Sequence, residues 1–141
     1  MSTTGGVRPI AEGLFEITGG EPRLIVARCA SCRELHFPAS DTCPYCGDPC
    51  DTERVGPEGR LRLFTVVHRA PPGYRGPVPY GFGVVALTGH RLEVITRLTE
   101  IDPARLRPNL PMRLEVAPLY TDDDGQAVLS WAFAPVAAAA S

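Results

Sequence analysis

The chain contains no lysine: all 14 of its basic residues are arginine. A lysine Schiff base is therefore excluded as a route to covalent catalysis. It also lacks an excess of positive charge. Its 14 basic residues face 16 acidic ones, for a formal net charge of −2, whereas a general polyanion binder carries a strong basic surplus. No apolar run approaches the roughly 20 residues that a membrane-spanning helix needs. The start, Met1 to Gly6, is polar and lacks the charged-then-apolar layout of a secretory signal. Nor is there a dinucleotide fingerprint, because Gly81-Phe82-Gly83 is only a fragment of GxGxxG.

What is present is a cysteine pattern. Cys29-Ala30-Ser31-Cys32 and Cys43-Pro44-Tyr45-Cys46 are two CxxC pairs ten residues apart. Each pair can form a knuckle whose thiolates point at one ion, and four sulfurs suit tetrahedral Zn²⁺. The expectation is a structural zinc held by Cys29, Cys32, Cys43 and Cys46, closed to water. Paired CxxC spacing without a secretory signal reads as metal binding in a reducing compartment, so a cytoplasmic location is expected. Two disulfides or free thiols are the alternative reading of the same residues. Cys50 stands outside the pairs as a small core residue, a substitute ligand for Cys46, or a nucleophile. His36 lies between the knuckles as a surface or supporting residue, with a fourth-ligand role as its alternative.

The rest of the chain reads as β-structure. Arg23 to Arg28 is expected to be a strand feeding the first knuckle, with Leu35 to Pro38 as its short partner and Gly47 turning the chain past the second knuckle. From Arg60 onward the period becomes two. Leu61, Leu63, Thr65 and Val67 define one face of a first barrel strand. A proline-stiffened loop, Ala70 to Pro79, follows. Gly81 to Leu87 is a second strand, and Leu92, Val94, Thr96 and Leu98 mark the inward face of a third. Asp102 as N-cap with Pro103 at the first position predicts one helical turn. Met112, Leu114 and Val116 give a fourth strand, Thr121 to Gly125 a turn, and Leu129, Trp131 and Phe133 the inward face of a fifth.

Five strands with a helical turn between the third and fourth are the layout of an OB-fold barrel. The organisation expected is a flexible or docking segment over 1–20, anchored by Leu14, Phe15 and Ile17. A zinc ribbon follows over 21–55, then an OB-fold over 56–136 and a disordered tail over 137–141. The fold class is mainly β: a rubredoxin-like zinc ribbon followed by a five-stranded OB barrel.

Several segments together resemble a known family. They are the CxxC pairs with Phe37-Pro38 between them, then Cys43-Pro44-Tyr45-Cys46-Gly47, and Gly59-Arg60-Leu61 opening the barrel. Next come Phe64 to Pro72, Pro79-Tyr80-Gly81, and Thr121 to Gly125 with Trp131 to Pro135. The chain resembles, over about Ile10 to Val136, the zinc-ribbon plus OB-fold proteins that accompany thiolase-fold enzymes in acyl-CoA metabolism. The short Pro9–Arg23 start is similar to the branch paired with benzoylsuccinyl-CoA thiolases. The resemblance implies a non-catalytic accessory subunit with structural zinc. It further implies a thiolase or thiolase-fold aldolase as partner, two copies of the chain on a partner homodimer, and acyl-CoA at the shared interface.

OB barrels bind at the loops joining strands 1–2 and 4–5. Arginine recognises phosphate and aromatics stack on adenine. His68, Arg69, Tyr74, Arg75, Tyr80 and Phe82, in and around the first of those loops, are thus candidate contacts for acyl-CoA or the partner. The competing reading is a single-stranded nucleic-acid module. The absence of lysine and the net charge weigh against it. No membrane association is expected.

Overall fold

In this computed structural model the described residues are 6–136. The expected mobile start at residues 1–5 and the tail at 137–141 lie outside them. β3 (Glu21–Cys29) is the central strand of the ribbon sheet. β2 (Phe15–Thr18) folds back onto it through Gly19-Gly20, both at positive φ (59° and 84°). That turn matches strand twist, and glycine adopts it without a Cβ clash. β4 (Leu35–His36) pairs with Ala27 and Arg28, as the sequence predicts. The other edge of β3 carries β5 (Cys50–Val55), in register from Leu24↔Val55 to Cys29↔Cys50. No apolar alternation marks Cys50-Asp51-Thr52-Glu53-Arg54, so β5 is a strand because β3 pairs with it.

The second sheet holds β6 (Glu58–Val67), β7 (Tyr80–Leu87), β8 (Glu93–Leu98), β9 (Pro111–Thr121) and β10 (Ala127–Pro135). Pairing of β9 with β10 closes these five into the expected barrel. A 3₁₀ turn at Pro103–Arg105 precedes β9, with the Asp102 carboxylate accepting from the Ala104 N–H at 3.0 Å. β1 (Val7–Pro9) joins this sheet too, parallel to β10 at Ala127 to Leu129. Among the described residues the chain therefore runs first along the barrel, leaves to build the ribbon, and returns. No helix among the described residues is long and apolar enough to cross a membrane.

Two expected faces are corrected. The ladder shifts register between Leu61 and Leu63, a bulge centred on Arg62. A bulge inserts one residue and reverses the alternation beyond it. Leu61 is fully buried, whereas Leu63 is 67% exposed and Thr65 is exposed. Beyond the bulge the half-buried positions are Phe64, Val66 and Val67. In β10 a second shift falls between Val128 and Leu129. Val128, Ser130 and Ala132 are buried beside Phe133. Leu129 and Trp131 are only half-buried. The Trp131 indole meets Phe15 (ring centroids 6.4 Å apart) and, edge-on, Phe37 (5.5 Å). Trp131 is thus the seam between barrel and ribbon rather than a barrel-core residue.

Both units share one core. Leu24, Val26, Leu35 and Val55 of the ribbon pack in a single cluster with Leu61, Leu87, Leu98, Met112, Leu114 and Phe133 of the barrel. Each such side chain contributes roughly 1.5–3 kcal/mol on full burial.

Candidate metal centre and aromatic groove

The two knuckles repeat one backbone geometry. The Arg33 N–H donates to the Cys29 carbonyl at 3.1 Å, and the Gly47 N–H to the Cys43 carbonyl at 3.0 Å. Arg33 and Gly47 occupy equivalent places and both have positive φ (68° and 84°). The sequence signals the second turn through glycine and hides the first behind arginine. Inside the knuckles, the N–H groups of Ser31 and Cys32 donate to Cys29 Sγ, and that of Tyr45 to Cys43 Sγ, all at 3.3 Å. Donation from Cys32, then Ser31, lowers the Cys29 thiol to about 6, although burial opposes it. The same donation favours the thiolate form, which is the one that ligates metal.

The four sulfurs lie within 4.8 Å of one another. Across the site Cys29 Sγ is 3.4 Å from Cys46 Sγ, and Cys32 Sγ is 3.6 Å from Cys43 Sγ. A tetrahedral zinc with bonds of about 2.3 Å sets its sulfurs about 3.8 Å apart, so the donor set fits the ion. Cys50 is not among the ligands; its Sγ donates weakly to the Asp48 carbonyl at 3.7 Å. Burial and the neighbouring sulfurs of Cys29 and Cys43 push it up to about 11, which makes it a poor nucleophile. His36 is buried, and its Nε2 accepts from the Ser40 N–H at 3.1 Å. It holds the 36–42 turn and is absent from the sulfur cluster. Its Nδ1 is buried without a partner.

Of the six loop candidates, the structure brings three together. Tyr74, Tyr80 and Phe82 stack in sequence, with centroids 4.7 Å and then 6.4 Å apart. They line a groove of about 340 Å³ together with Ile95, Arg97, Leu119 and Trp131. Arg75 does not line it. Its guanidinium lies 4.7 Å over the Tyr120 ring and 3.3 Å from the Asp123 carboxylate. It thereby latches the loop over 70–79 to the turn over 121–125, the two loops that OB folds use for binding. His68 and Arg69 are exposed at the end of β6 and stand outside the groove.

Arg97 is the residue that sequence reasoning missed. An arginine on a β-strand reads as solvent-facing, and only the register shows Arg97 opposite Phe82. It is half-buried, and among the described residues no carboxylate pairs with it. Burial pushes its guanidinium below the ordinary arginine range, partly offset by Tyr74 and Tyr80. The Trp131 indole N–H is likewise buried without an acceptor. In the turn over 121–125 the Asp122 carboxylate accepts from Arg8 Nε at 2.8 Å and from the N–H groups of Asp124 and Gln126.

Comparison with known proteins agrees with this geometry. Residues 19–53 match the family described as the ChsH2 rubredoxin-like zinc ribbon domain, and residues 52–117 match the ChsH2 C-terminal OB-fold domain. A probable enoyl-CoA hydratase alpha subunit of Thermomonospora curvata is 35% identical over 95 residues. That match takes in 66% of this chain and spans 29% of the relative's length. A DUF35 domain-containing scaffold protein of Methanocaldococcus jannaschii is 24% identical over 116 residues, 80% of this chain and 82% of its own. Among solved structures, one described as the Ltp2-ChsH2(DUF35) aldolase superposes with a TM-score of 0.61 at 28% identity. It covers 80% of this chain and 84% of that one. The four-thiolate cluster, lying in a recognised zinc ribbon, is a structural zinc site.

Proposed function

We propose, for a chain that belongs to the ChsH2 family of zinc-ribbon and OB-fold proteins, the role of a non-catalytic accessory subunit. Its partner is a thiolase-fold enzyme acting on acyl-CoA, by thiolysis or retro-aldol cleavage. The observation that carries this reading is the closed four-thiolate cluster of a ChsH2-type zinc ribbon packed on an OB barrel. All four clustered thiolates go to one ion, leaving no open coordination position for water. Ser40 does meet His36, but its hydroxyl donates to the Thr42 carbonyl at 2.7 Å, and His36 Nε2 already accepts from the Ser40 N–H. The hydroxyl proton is thus directed at Thr42 and not at the imidazole.

The chain's part is to stabilise the partner and shape its acyl-CoA entrance. The latched loops present a rigid rim on which Arg69 and Arg75 offer phosphate recognition and Tyr74, Tyr80 and Phe82 offer stacking surfaces. Similarity to a chain of the Ltp2-ChsH2(DUF35) aldolase and to a DUF35 domain-containing scaffold protein supports this reading. Four reduced thiolates suit the cytoplasm, and two copies on a partner homodimer is the expected assembly. The test is co-purification with a thiolase-fold enzyme encoded by a neighbouring gene. The chain alone should turn over no acyl-CoA, and Arg75→Ala should raise the acyl-CoA KM of the assembled pair. An unchanged KM with assembly intact removes the loop from the entrance.

A further inference from the structure

Three adjacent barrel strands turn an apolar row outward. The ladder sets Leu63 opposite Val84 and Val84 opposite Ile95. Leu63 and Ile95 are 67% and 65% exposed. The next row runs Thr65, Phe82, Arg97. Phe82, Ile95 and Arg97 continue into the groove walled by Tyr74, Tyr80 and Trp131. The row exists because of the bulge at Arg62. Without it, Leu63 would share the inward face of Leu61 and this stripe would lose its first member.

Three occupants can be weighed on chemistry. A small molecule fills the groove but leaves Leu63, two strands away from Ile95, in water. A second copy seated face to face on the same row brings Arg97 no free acid from that row, since the acid bordering it, Glu93, is already paired with Arg62 at 3.4 Å. A different protein can cover the whole row and supply the missing carboxylate. An apolar centre around one desolvated arginine is also the composition of energetically dominant interface patches.

We propose that this outer face of β6, β7 and β8, with Leu63, Phe82, Val84 and Ile95 around Arg97, is the docking surface for the partner enzyme. The enzyme presents to it an apolar ridge bearing one carboxylate. The proposal rests on the accessory-subunit reading and names its interface.

The test measures affinity between the full zinc-loaded chain and a thiolase-fold enzyme, taken from a neighbouring gene, by calorimetry. Leu63→Glu and Ile95→Glu should each raise Kd at least about tenfold. Arg97→Glu should raise it more than Arg97→Lys, and the gap should narrow between roughly 0.05 and 0.5 M salt. Zinc content and melting temperature should stay unchanged in the two exposed-site variants, which separates docking from folding. Wild type that binds while the glutamate variants bind equally well overturns this interface and leaves the accessory reading standing. Wild type that does not bind overturns both. If the chain alone dimerises and Ile95→Glu abolishes the dimer, a second copy is the occupant and the proposal fails. It fails also if free coenzyme A quenches Trp131 in a manner lost in Ile95→Glu while partner affinity is unchanged.

Discussion

Removing the zinc should melt the knuckles and leave the barrel standing. β3 and β5 are clamped at their inner end, where Leu24 and Val55 pair and both lie in the shared core. At the outer end Cys29 and Cys50 pair, and the excursion between them is roughly 20 residues, which the metal ties down. Releasing an excursion of that length into a free loop while its ends stay paired corresponds to a closure entropy of about 3 kcal/mol, and freeing Leu35 from the shared core adds roughly 2 kcal/mol. Set against a total stability of roughly 5–15 kcal/mol, that loss leaves a barrel from the middle of that range upward still folded. At a few degrees per kcal/mol, it should lower the melting temperature by about 15 °C. The assay is thermal unfolding with and without a tight chelator, and of Cys43→Ser, followed by far-ultraviolet circular dichroism. The single tryptophan supplies a second probe, because Phe37, which follows β4 at the edge of the excursion, touches Trp131. Its emission should shift on chelation at a temperature where the barrel signal persists. A chain that unfolds globally at 25 °C without zinc would refute the reasoning. It would mean that the whole metal affinity, roughly 10–16 kcal/mol in zinc-finger peptides, is folding energy here as well. No change in melting temperature would refute it from the other side.

Two further outcomes follow from single contacts. Arg8, then the Gln126 N–H, hold the Asp122 carboxyl below the usual carboxylate range; its ionised form is favoured by the fold, so its contribution is complete above about pH 4 and is lost as the pH falls through the lowered folded value. Asp122→Asn should therefore lower the melting temperature at neutral pH, with the deficit closing toward acid. At Gly83 an added Cβ would collide with the Leu63 carbonyl beside the bulge, so Gly83→Ala should cost about 1–3 kcal/mol, read as a lower urea midpoint.

The elements that repeat a local rule were legible in advance. The CxxC spacing announces the metal, an apolar run announces β7, alternation announces β8 and β9, and Asp102-Pro103 announces the turn before β9. What escaped is set by pairing over distance. Arg62 looks like any polar residue in an alternating strand, and nothing in its neighbours marks the register shift that turns Leu63 outward. Trp131 reads as core because large aromatics are usually buried, yet its partners Phe15 and Phe37 come from a different sheet. β5 carries almost no apolar signal, and β1 is only three residues long. Arg97 is ordinary by sequence; its interest arises from sitting opposite Phe82 and lacking an acid.

The parallel pairing of β1 with β10 bears on how this protein can be cut. A division at residue 56 treats the metal-binding half as a detachable front piece. In the fold, that half is spliced into the barrel, entered after Pro9 and left before Glu58. A fragment beginning at residue 56 would carry all five barrel strands but leave Ala127 to Leu129 with bare backbone N–H and C=O groups along one edge, a template for stray strand addition. It would also strip Phe15 and Phe37 from Trp131 and Arg8 from Asp122. The sound unit for swapping, fusion or truncation therefore starts upstream of Val7, and the ribbon is best exchanged as an internal cassette with both junctions kept.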